Sequence, residues 1–172
     1  MGIYERFLLP RLLAVAMRNR ELVPLRQRVG QAAEDRVLEI SIGSGLNLPF
    51  YGPKVHEVIG IDPSPALLRM ARARLLEALF PVELMQAVSK RLPLDDASVD
   101  TVVTTWTLCS VCQPIDALRE ARRVLRPGGA LLFMEHGRAP DAGVRSAKWR
   151  SHLRVGRTRL LRRGSTSPEA AI

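Results

Sequence analysis

Short apolar runs alternate with amphipathic stretches through the middle of the chain. Five runs rich in aliphatic or β-branched residues predict strands, and most are followed by a turn and a helical repeat. These runs cover residues 37–40, 58–61, 82–85, 101–106 and 130–134. Strands that alternate with helices predict an α/β fold, with a doubly wound, mostly parallel sheet and helices on both faces.

Proline and short polar residues mark the predicted helix ends. Ser64 followed by Pro65 predicts a helix start, because proline at the first helical position loses no needed N–H group. Apolar residues then recur at helical spacing as far as Ala78. A later helix is predicted from Pro114 until the Pro-Gly-Gly segment at 127–129 ends it.

The strand and helix pattern divides the chain into three segments. Residues 1–35 are predicted to form an N-terminal helical lid. Within them, the stretch 7–17 is apolar but interrupted by a proline and an arginine, and it is predicted to form an amphipathic helix. Residues 36–137 carry the predicted core. Residues 138–172, mostly Arg, Ser, Gly and Ala, contain no convincing strand and predict a basic, poorly ordered tail.

Positive charge is concentrated in this tail. Of the formal net charge of +9, the tail contributes +7, from nine Lys/Arg against two Asp/Glu. Such a tail could bind nucleic acid or an anionic lipid surface. Trp149 is its only aromatic residue, so a nucleic-acid-binding module is the less favoured interpretation.

The composition is that of a soluble globular protein, with 47% hydrophobic and 25% charged residues. The stretch 7–17 is too short for a membrane span and lacks a signal-peptide cleavage site, although peripheral membrane contact stays open. Cys109 and Cys112 cannot form a disulfide framework, which favours a reducing, cytoplasmic compartment. Their C-x-x-C spacing is typical of zinc sites, but the sequence offers no second pair, so we expect no metal.

A glycine-rich turn follows the first predicted strand. Glu39, Ser41, Gly43, Gly45 and Asn47 occupy alternate positions in it. Glycines let the backbone approach a ligand closely, and the N–H groups that follow can bind oxygen atoms. The asparagine is predicted to cap a brief helical turn.

An acidic residue, Asp62, ends the second predicted strand. The glycine-rich turn and this acid lie at the carboxyl edge of the sheet, where open α/β folds bind ligands, and the acid can accept both hydroxyls of a ribose. A nicotinamide-binding domain would show a third glycine where Leu48 stands. Neither tyrosine is followed by the lysine of a Tyr-Lys reductase site. These absences weaken the nicotinamide interpretation.

Four stretches carry a family resemblance, namely VLEISIGSGLNLPFY, VIGIDPS, LPLDDASVDTVV and LREARRVLRPGGALLFMEH. In this order they resemble the class I S-adenosylmethionine-dependent methyltransferases of the methyltransferase type 11 kind. Among these, the chain is similar in particular to the phosphatidylethanolamine and ubiquinone/menaquinone methyltransferases. The resemblance implies a Rossmann-like fold, S-adenosylmethionine as cofactor, and transfer of a methyl group to a small-molecule or lipid-like acceptor.

The resemblance also implies roles for residues at the carboxyl edge. The glycine-rich turn would line the methionine end of the cofactor, and Asp62 would hold its ribose. Ser64 would lie near the adenosine, and the backbone N–H of Ser89 would serve adenine. The segment 105–108 would pass beneath the sulfonium and face the acceptor. The implied cofactor-binding residues are Glu39, Ser41, Gly43, Gly45, Asn47, Asp62, Ser64, Ser89, Thr105 and Trp106.

Three features depart from the family pattern. Ser41 replaces the first glycine of the turn. Val88 stands where an acid usually accepts the adenine amino hydrogen, a loss of about 1 kcal/mol of binding. The C-terminal antiparallel strands of the family are predicted to be missing, which would leave the fifth strand as an exposed edge. A truncated, non-catalytic cofactor-binding remnant is therefore the alternative to an active enzyme.

His136 follows the fifth predicted strand and is the candidate catalytic residue. It could deprotonate a substrate amine, thiol or hydroxyl during methyl transfer, and a histidine that only bonds loop backbone is the alternative. Because a sulfonium is already activated, the protein has to align the reactants and exclude water. The lack of a Ser-His-Asp or metal constellation in the sequence is expected for this mechanism.

Overall fold

The computed structural model describes residue 17 and residues 19–108, 111–137 and 152–159. For residues 136, 137, 152–157 and 159 it describes the backbone alone. Nearly all of the predicted lid helix at 7–17 and most of the predicted tail lie outside the described residues.

Within the described residues, six strands form one sheet in the order β3-β2-β1-β4-β5-β6. Strands β1 to β5 run parallel to one another, and β6 is antiparallel to β5. The strand order reverses direction between β1 and β4, which confirms the predicted doubly wound parallel sheet. The strands are β1 Asp35–Ile40, β2 Val55–Asp62, β3 Val82–Gln86, β4 Val99–Thr105, β5 Leu125–Gly137 and β6 His152–Arg159.

Helices cover both faces of this sheet, as predicted. Val29 and Leu68, from the first two helices, pack in one buried cluster with Val37 of β1. Ala121, from the third helix, packs in a second cluster with Leu38, the next residue of β1. Successive strand residues point to opposite faces, so the two clusters lie on opposite sides. The helices are α1 Val23–Ala32, α2 Pro65–Arg72 and α3 Pro114–Val124.

Both predicted helix starts are confirmed, but α2 is shorter than predicted. Pro65 and Pro114 are the first residues of their helices, and Ser64 Oγ accepts a hydrogen bond from Leu67 N at 3.4 Å. The predicted repeat continues past the end of α2, where a 3-10 turn, Leu75–Glu77, follows instead. The chain has to reverse its direction there to enter β3.

The Pro-Gly-Gly segment at 127–129 lies inside β5, which corrects the prediction that it ends a helix. α3 has already ended before this segment, which interrupts the pairing of β5 with β4. Gly128 has a φ of +86°, and a Cβ at Gly129 would lie 2.8 Å from the carbonyl oxygen of Asp100. The glycines therefore form a bulge pressed closely against the neighbouring strand.

Strand β6 corrects the prediction that the tail contains no strand. It pairs with β5 along its whole length, from Arg159 opposite Ala130 to His152 opposite Gly137. β5 is therefore not an exposed edge, and one antiparallel strand does follow it. The β6 sequence, HLRVGRTR, holds a glycine and three arginines. Such a sequence gives little local sign of a strand, and pairing with β5 decides its conformation.

Gly30 is the point at which α1 touches the 3-10 turn Leu48–Phe50. A Cβ at this position would lie 2.4 Å from the carbonyl oxygen of Phe50. We expect Gly30→Ala to lower the free energy of unfolding by about 1–3 kcal/mol, as overpacking does. This loss of stability is opposite in sign to the usual gain in stability when alanine replaces glycine in a helix.

Urea unfolding of Gly30→Ala beside a matched control, Gly52→Ala, measures this effect. A Cβ at Gly52 would meet only Gln31 Cα, at 3.7 Å, which is ordinary contact. The control should therefore change stability by less than about 0.5 kcal/mol. A Gly30→Ala variant as stable as the parent would contradict the close approach.

Candidate functional site

The glycine-rich turn leaves β1 with a left-handed backbone at three positions. The φ angles are +57° at Ser41, +60° at Gly43 and +75° at Gly45. Glycine adopts this conformation without steric cost, whereas Ser41 adopts it at a cost of about 1 kcal/mol. Ile42 N donates a hydrogen bond to Ile61 O at 2.9 Å, which ties the turn to β2.

Asp62, the last residue of β2, joins the glycine-rich turn to the start of α2. Its Oδ2 accepts a hydrogen bond from Gly43 N at 3.1 Å, and its Oδ1 accepts one from Ser64 N at 2.8 Å. Burial raises the pKa of Asp62, and the two N–H donors oppose that shift. Each carboxylate oxygen keeps a second lone pair that can accept another hydrogen bond.

A cavity of about 320 Å³ lies at the carboxyl edge of the sheet. Ile61 and Pro63, on either side of Asp62 in sequence, line it together with Ser41 and Ser89. Val88, which stands where the family usually has an acid, also lines it. Of the predicted site residues, Ser41 and Ser89 therefore line one space of small-molecule size, and Asp62 lies between two of its lining residues in sequence without lining it.

A larger cavity, of about 750 Å³, lies between the β3–β4 connection and α3. Arg123 in its wall donates all five of its N–H bonds, to Glu120, Asp96 and the carbonyl oxygens of Leu92 and Leu94. These bonds fasten the β3–β4 connection to α3. Because no residue of the glycine-rich turn lines this cavity, the smaller cavity is the candidate site.

A buried polar cluster lies next to the turn and is centred on Glu39, which is 1% exposed. Glu39 Oε1 accepts a hydrogen bond from Asn47 Nδ2 at 2.7 Å. Its Oε2 accepts one from the Tyr51 hydroxyl at 2.8 Å. The buried Glu39 carboxylate is thus hydrogen-bonded to both ends of the segment 47–51, which follows the glycines.

The side-chain amide of Asn47 connects three elements. Its Nδ2 also donates to Thr105 Oγ1 at 3.1 Å, and its Oδ1 accepts a hydrogen bond from Arg26 Nη1 at 2.5 Å. Because the amide is used in this way, it makes no capping hydrogen bond to the turn Leu48–Phe50, which corrects that prediction. Asn47 therefore links β1 and β4 to α1.

Arg26 and Trp106 complete the cluster from α1 and from the end of β4. The guanidinium carbon of Arg26 lies 4.7 Å from the centroid of the Trp106 ring, in a cation–π contact. Sequence reasoning missed both Arg26 and Tyr51. Nothing in the sequence around Arg26 marks it as buried. The sequence did contain a signal for Tyr51, because this residue ends the stretch VLEISIGSGLNLPFY, which carries part of the family resemblance.

Backbone hydrogen bonds shape the segment 105–108 that follows β4. Trp106 N donates to a carbonyl oxygen of β5 at 2.8 Å. Thr107 N and Leu108 N both donate to Glu135 Oε1, at 2.9 and 3.0 Å. The segment is therefore held against β5 at the same edge of the sheet as the glycine-rich turn.

The remaining predicted residues are only partly described. His136 lies on β5 opposite Leu153 of β6, but its side chain is outside the description, so its role as a base stays a prediction. Cys109 is outside the described residues, and Cys112 is exposed. Within the described ranges, no group of three or more His, Cys, Asp or Glu could hold a metal ion. Over the same ranges, no helix has both the length and the apolar character needed to cross a bilayer.

Residues 38–133 match the family model for a methyltransferase domain. That segment is more than half of the chain, and it contains the glycine-rich turn, Asp62 and the segment after β4. The chain belongs to this methyltransferase family. The resemblance drawn from the sequence motifs is thereby confirmed.

Relatives of this methyltransferase domain are longer than the chain. Thiol S-methyltransferase TMT1A of Homo sapiens is 39% identical over 128 residues, which are 71% of this chain and 51% of that protein. Phosphatidylethanolamine N-methyltransferase of Cereibacter sphaeroides is 37% identical over 126 residues, 70% of this chain and 62% of that protein. A solved S-adenosylmethionine-dependent methyltransferase from Thermotoga maritima has a TM-score of 0.63 at 30% identity, over 79% of this chain and 61% of that one. The chain thus spans less than two thirds of the length of each of these three proteins.

Burial raises the pKa of Glu39 in this methyltransferase domain to about 7. The nearby Asp62 adds to the rise, whereas Tyr51, Asn47 and Arg26 oppose it. In the unfolded chain the same carboxyl group titrates near 4.5. Between these two values the folded protein binds more protons than the unfolded chain, so this group lowers stability as the pH rises.

We therefore expect Glu39→Gln to gain stability relative to the parent as the pH rises from about 4.5 to 7. The difference in unfolding free energy should grow by about 3 kcal/mol over this window. Any hydrogen bonds that are lost with glutamine change the unfolding free energy of the variant by the same amount at every pH, so they do not affect the predicted pH dependence. Urea unfolding at a series of pH values measures the difference.

The matched control is Glu83→Gln, at an exposed position on β3. Its stability difference from the parent should stay constant over the same pH range. Parallel pH profiles for Glu39→Gln and the parent would show that the Glu39 carboxyl group is not held protonated by burial.

Proposed function

We propose that this chain binds S-adenosylmethionine at the carboxyl edge of its sheet and transfers the methyl group to a small-molecule or lipid-like acceptor. The observation that carries the proposal is the Asp62 carboxylate. Backbone N–H groups of Gly43 and Ser64 hold it in place, and its remaining lone pairs suit the two hydroxyls of a ribose. Family membership supports the same site.

The residues present fit such a cofactor. A Cβ at Gly43 would meet only Ser41 O, at 3.9 Å, so the turn leaves open space where a ligand can lie against the backbone. The cavity lined by Ser41 and Ser89 offers room for adenine. Val88 supplies no carboxylate there, so adenine would rely on backbone groups for its hydrogen bonds.

When bound, S-adenosylmethionine supplies an electrophilic methyl group on its sulfonium, so the protein has to orient the acceptor and exclude water. The segment 105–108 provides a fixed wall for this purpose, because Glu135 and the β5 backbone hold it by three N–H groups. His136, on β5, would take the proton from a protic acceptor such as a thiol, amine or hydroxyl.

The relatives support the acceptor class. One is named as a thiol S-methyltransferase and another as a phosphatidylethanolamine N-methyltransferase, so both small and lipid acceptors occur in the family. We propose the same broad class for this chain. A cytoplasmic location and peripheral membrane contact stay predictions from the sequence.

We expect Asp62→Ala to weaken S-adenosylmethionine binding by tenfold or more. The variant loses hydrogen bonds to a charged acceptor, each of which is worth about 1.5–3 kcal/mol. Isothermal titration calorimetry on the full chain measures the change. The matched control is Asp95→Ala, because Asp95 is exposed and lines the larger cavity.

Asp62→Asn keeps the shape of the side chain and serves as a second variant should the alanine variant unfold. The absence of binding by the folded parent protein would contradict the proposed function. If Asp95→Ala lost as much affinity as Asp62→Ala, the binding site would not lie at the glycine-rich turn.

A further inference from the structure

Arg26 is a buried cation whose hydrogen-bonding capacity is only partly used by the described residues. It is 5% exposed, and two of its five N–H bonds have acceptors among the described residues. These acceptors are Asn47 Oδ1 and Met17 O. Over the same part of the chain, it forms no salt bridge with a carboxylate within 4.0 Å. Burying a guanidinium in this way is costly unless an anion accompanies it.

Glu39 compensates this charge only in part. Asn47 stands between the two groups, bonded to Arg26 by its carbonyl oxygen and to Glu39 by its amide nitrogen. Burial also raises the pKa of Glu39 to about 7, so that a fraction of the molecules carry a neutral carboxyl group near neutral pH. The cluster therefore favours a further anion next to Arg26.

The contacts of the glycine-rich turn show where Arg26 lies along the proposed ligand. Ser41 lines the cavity, Gly43 donates to Asp62, and Asn47 contacts Arg26. A nucleoside whose ribose is bound by Asp62 and whose base lies in the cavity would direct its other end toward Asn47. In S-adenosylmethionine that end carries the α-carboxylate, the group that a guanidinium binds best.

We infer that Arg26 binds the α-carboxylate of the methionine moiety, an inference that rests on the proposed function. The Trp106 ring, 4.7 Å away, and Asn47 orient the guanidinium, whose other N–H groups have no acceptor among the described residues. Arg26 precedes the segment 38–133 that matches the family model, so that match assigns it no role. The helix α1 thereby becomes part of the cofactor site.

Two ligands that differ in the amino-acid end test this role. S-adenosylhomocysteine carries the α-carboxylate, and 5′-methylthioadenosine keeps the adenosine and the sulfur but lacks that end. Calorimetry on the full-length parent should give tighter binding of S-adenosylhomocysteine. Equal affinities for the two ligands would overturn the inference without any variant.

Arg26→Gln should weaken S-adenosylhomocysteine binding roughly ten- to a hundredfold, as expected for lost hydrogen bonds to a charged group. The same variant should change the affinity for 5′-methylthioadenosine by less than about twofold, since that ligand has no carboxylate to lose. Arg26→Lys keeps the charge without the planar fork and should fall between the two. Arg28→Gln, at an exposed position on α1, is the matched control and should bind both ligands like the parent.

The pattern of losses separates the alternatives. An equal loss for both ligands in Arg26→Gln would show that Arg26 only supports the fold, and unchanged binding would show no contact; either result overturns the inference. If the parent protein binds S-adenosylhomocysteine and Arg26→Gln gives one of these two results, the proposed function still stands. Folded parent protein that binds neither ligand would instead refute the proposed function, and this inference with it.

Discussion

The carboxylate of Asp62 accepts the backbone N–H groups of Gly43 and Ser64, and so joins two turns that leave neighbouring parallel strands. This contact sets the separation between the glycine-rich turn and the start of α2. It also steadies a turn whose first left-handed residue, Ser41, is unfavourable in that conformation. The edge of the sheet is therefore arranged before a ligand arrives, which lowers the ordering cost of binding.

A second constraint comes from the buried cluster beside the turn. Glu39 and Arg26 are both almost completely buried, and each would be costly alone. Asn47 bonds to both of them and also to Thr105, so one amide fixes α1, β1 and β4 relative to one another. The candidate site thus depends on a helix that lies before the segment shared with the family, and a domain cut at residue 38 would lose that support.

Four of the five parallel strands were predictable because each contains a short apolar run buried between helices, and such runs stand out in sequence. β3 has no fully buried residue and was predicted from its aliphatic residues alone. The helix starts were predictable because Pro65 and Pro114 are local signals. The ends were harder, since 127–129 could equally stop a helix or form a bulge. Strand β6 escaped prediction because its conformation follows from backbone pairing with β5, which an arginine-rich sequence does not reveal.

The sequence by itself determined the five parallel strands, the position of the glycine-rich turn and the place of Asp62, because parallel strands bring their carboxyl ends to one edge. Tertiary structure alone decided which side chains meet there. Arg26 and Thr105 reach Asn47 across 21 and 58 residues of sequence. Periodicity shows which face of an element is buried, but a hydrogen bond between elements depends on how those elements pack, to within a fraction of an ångström.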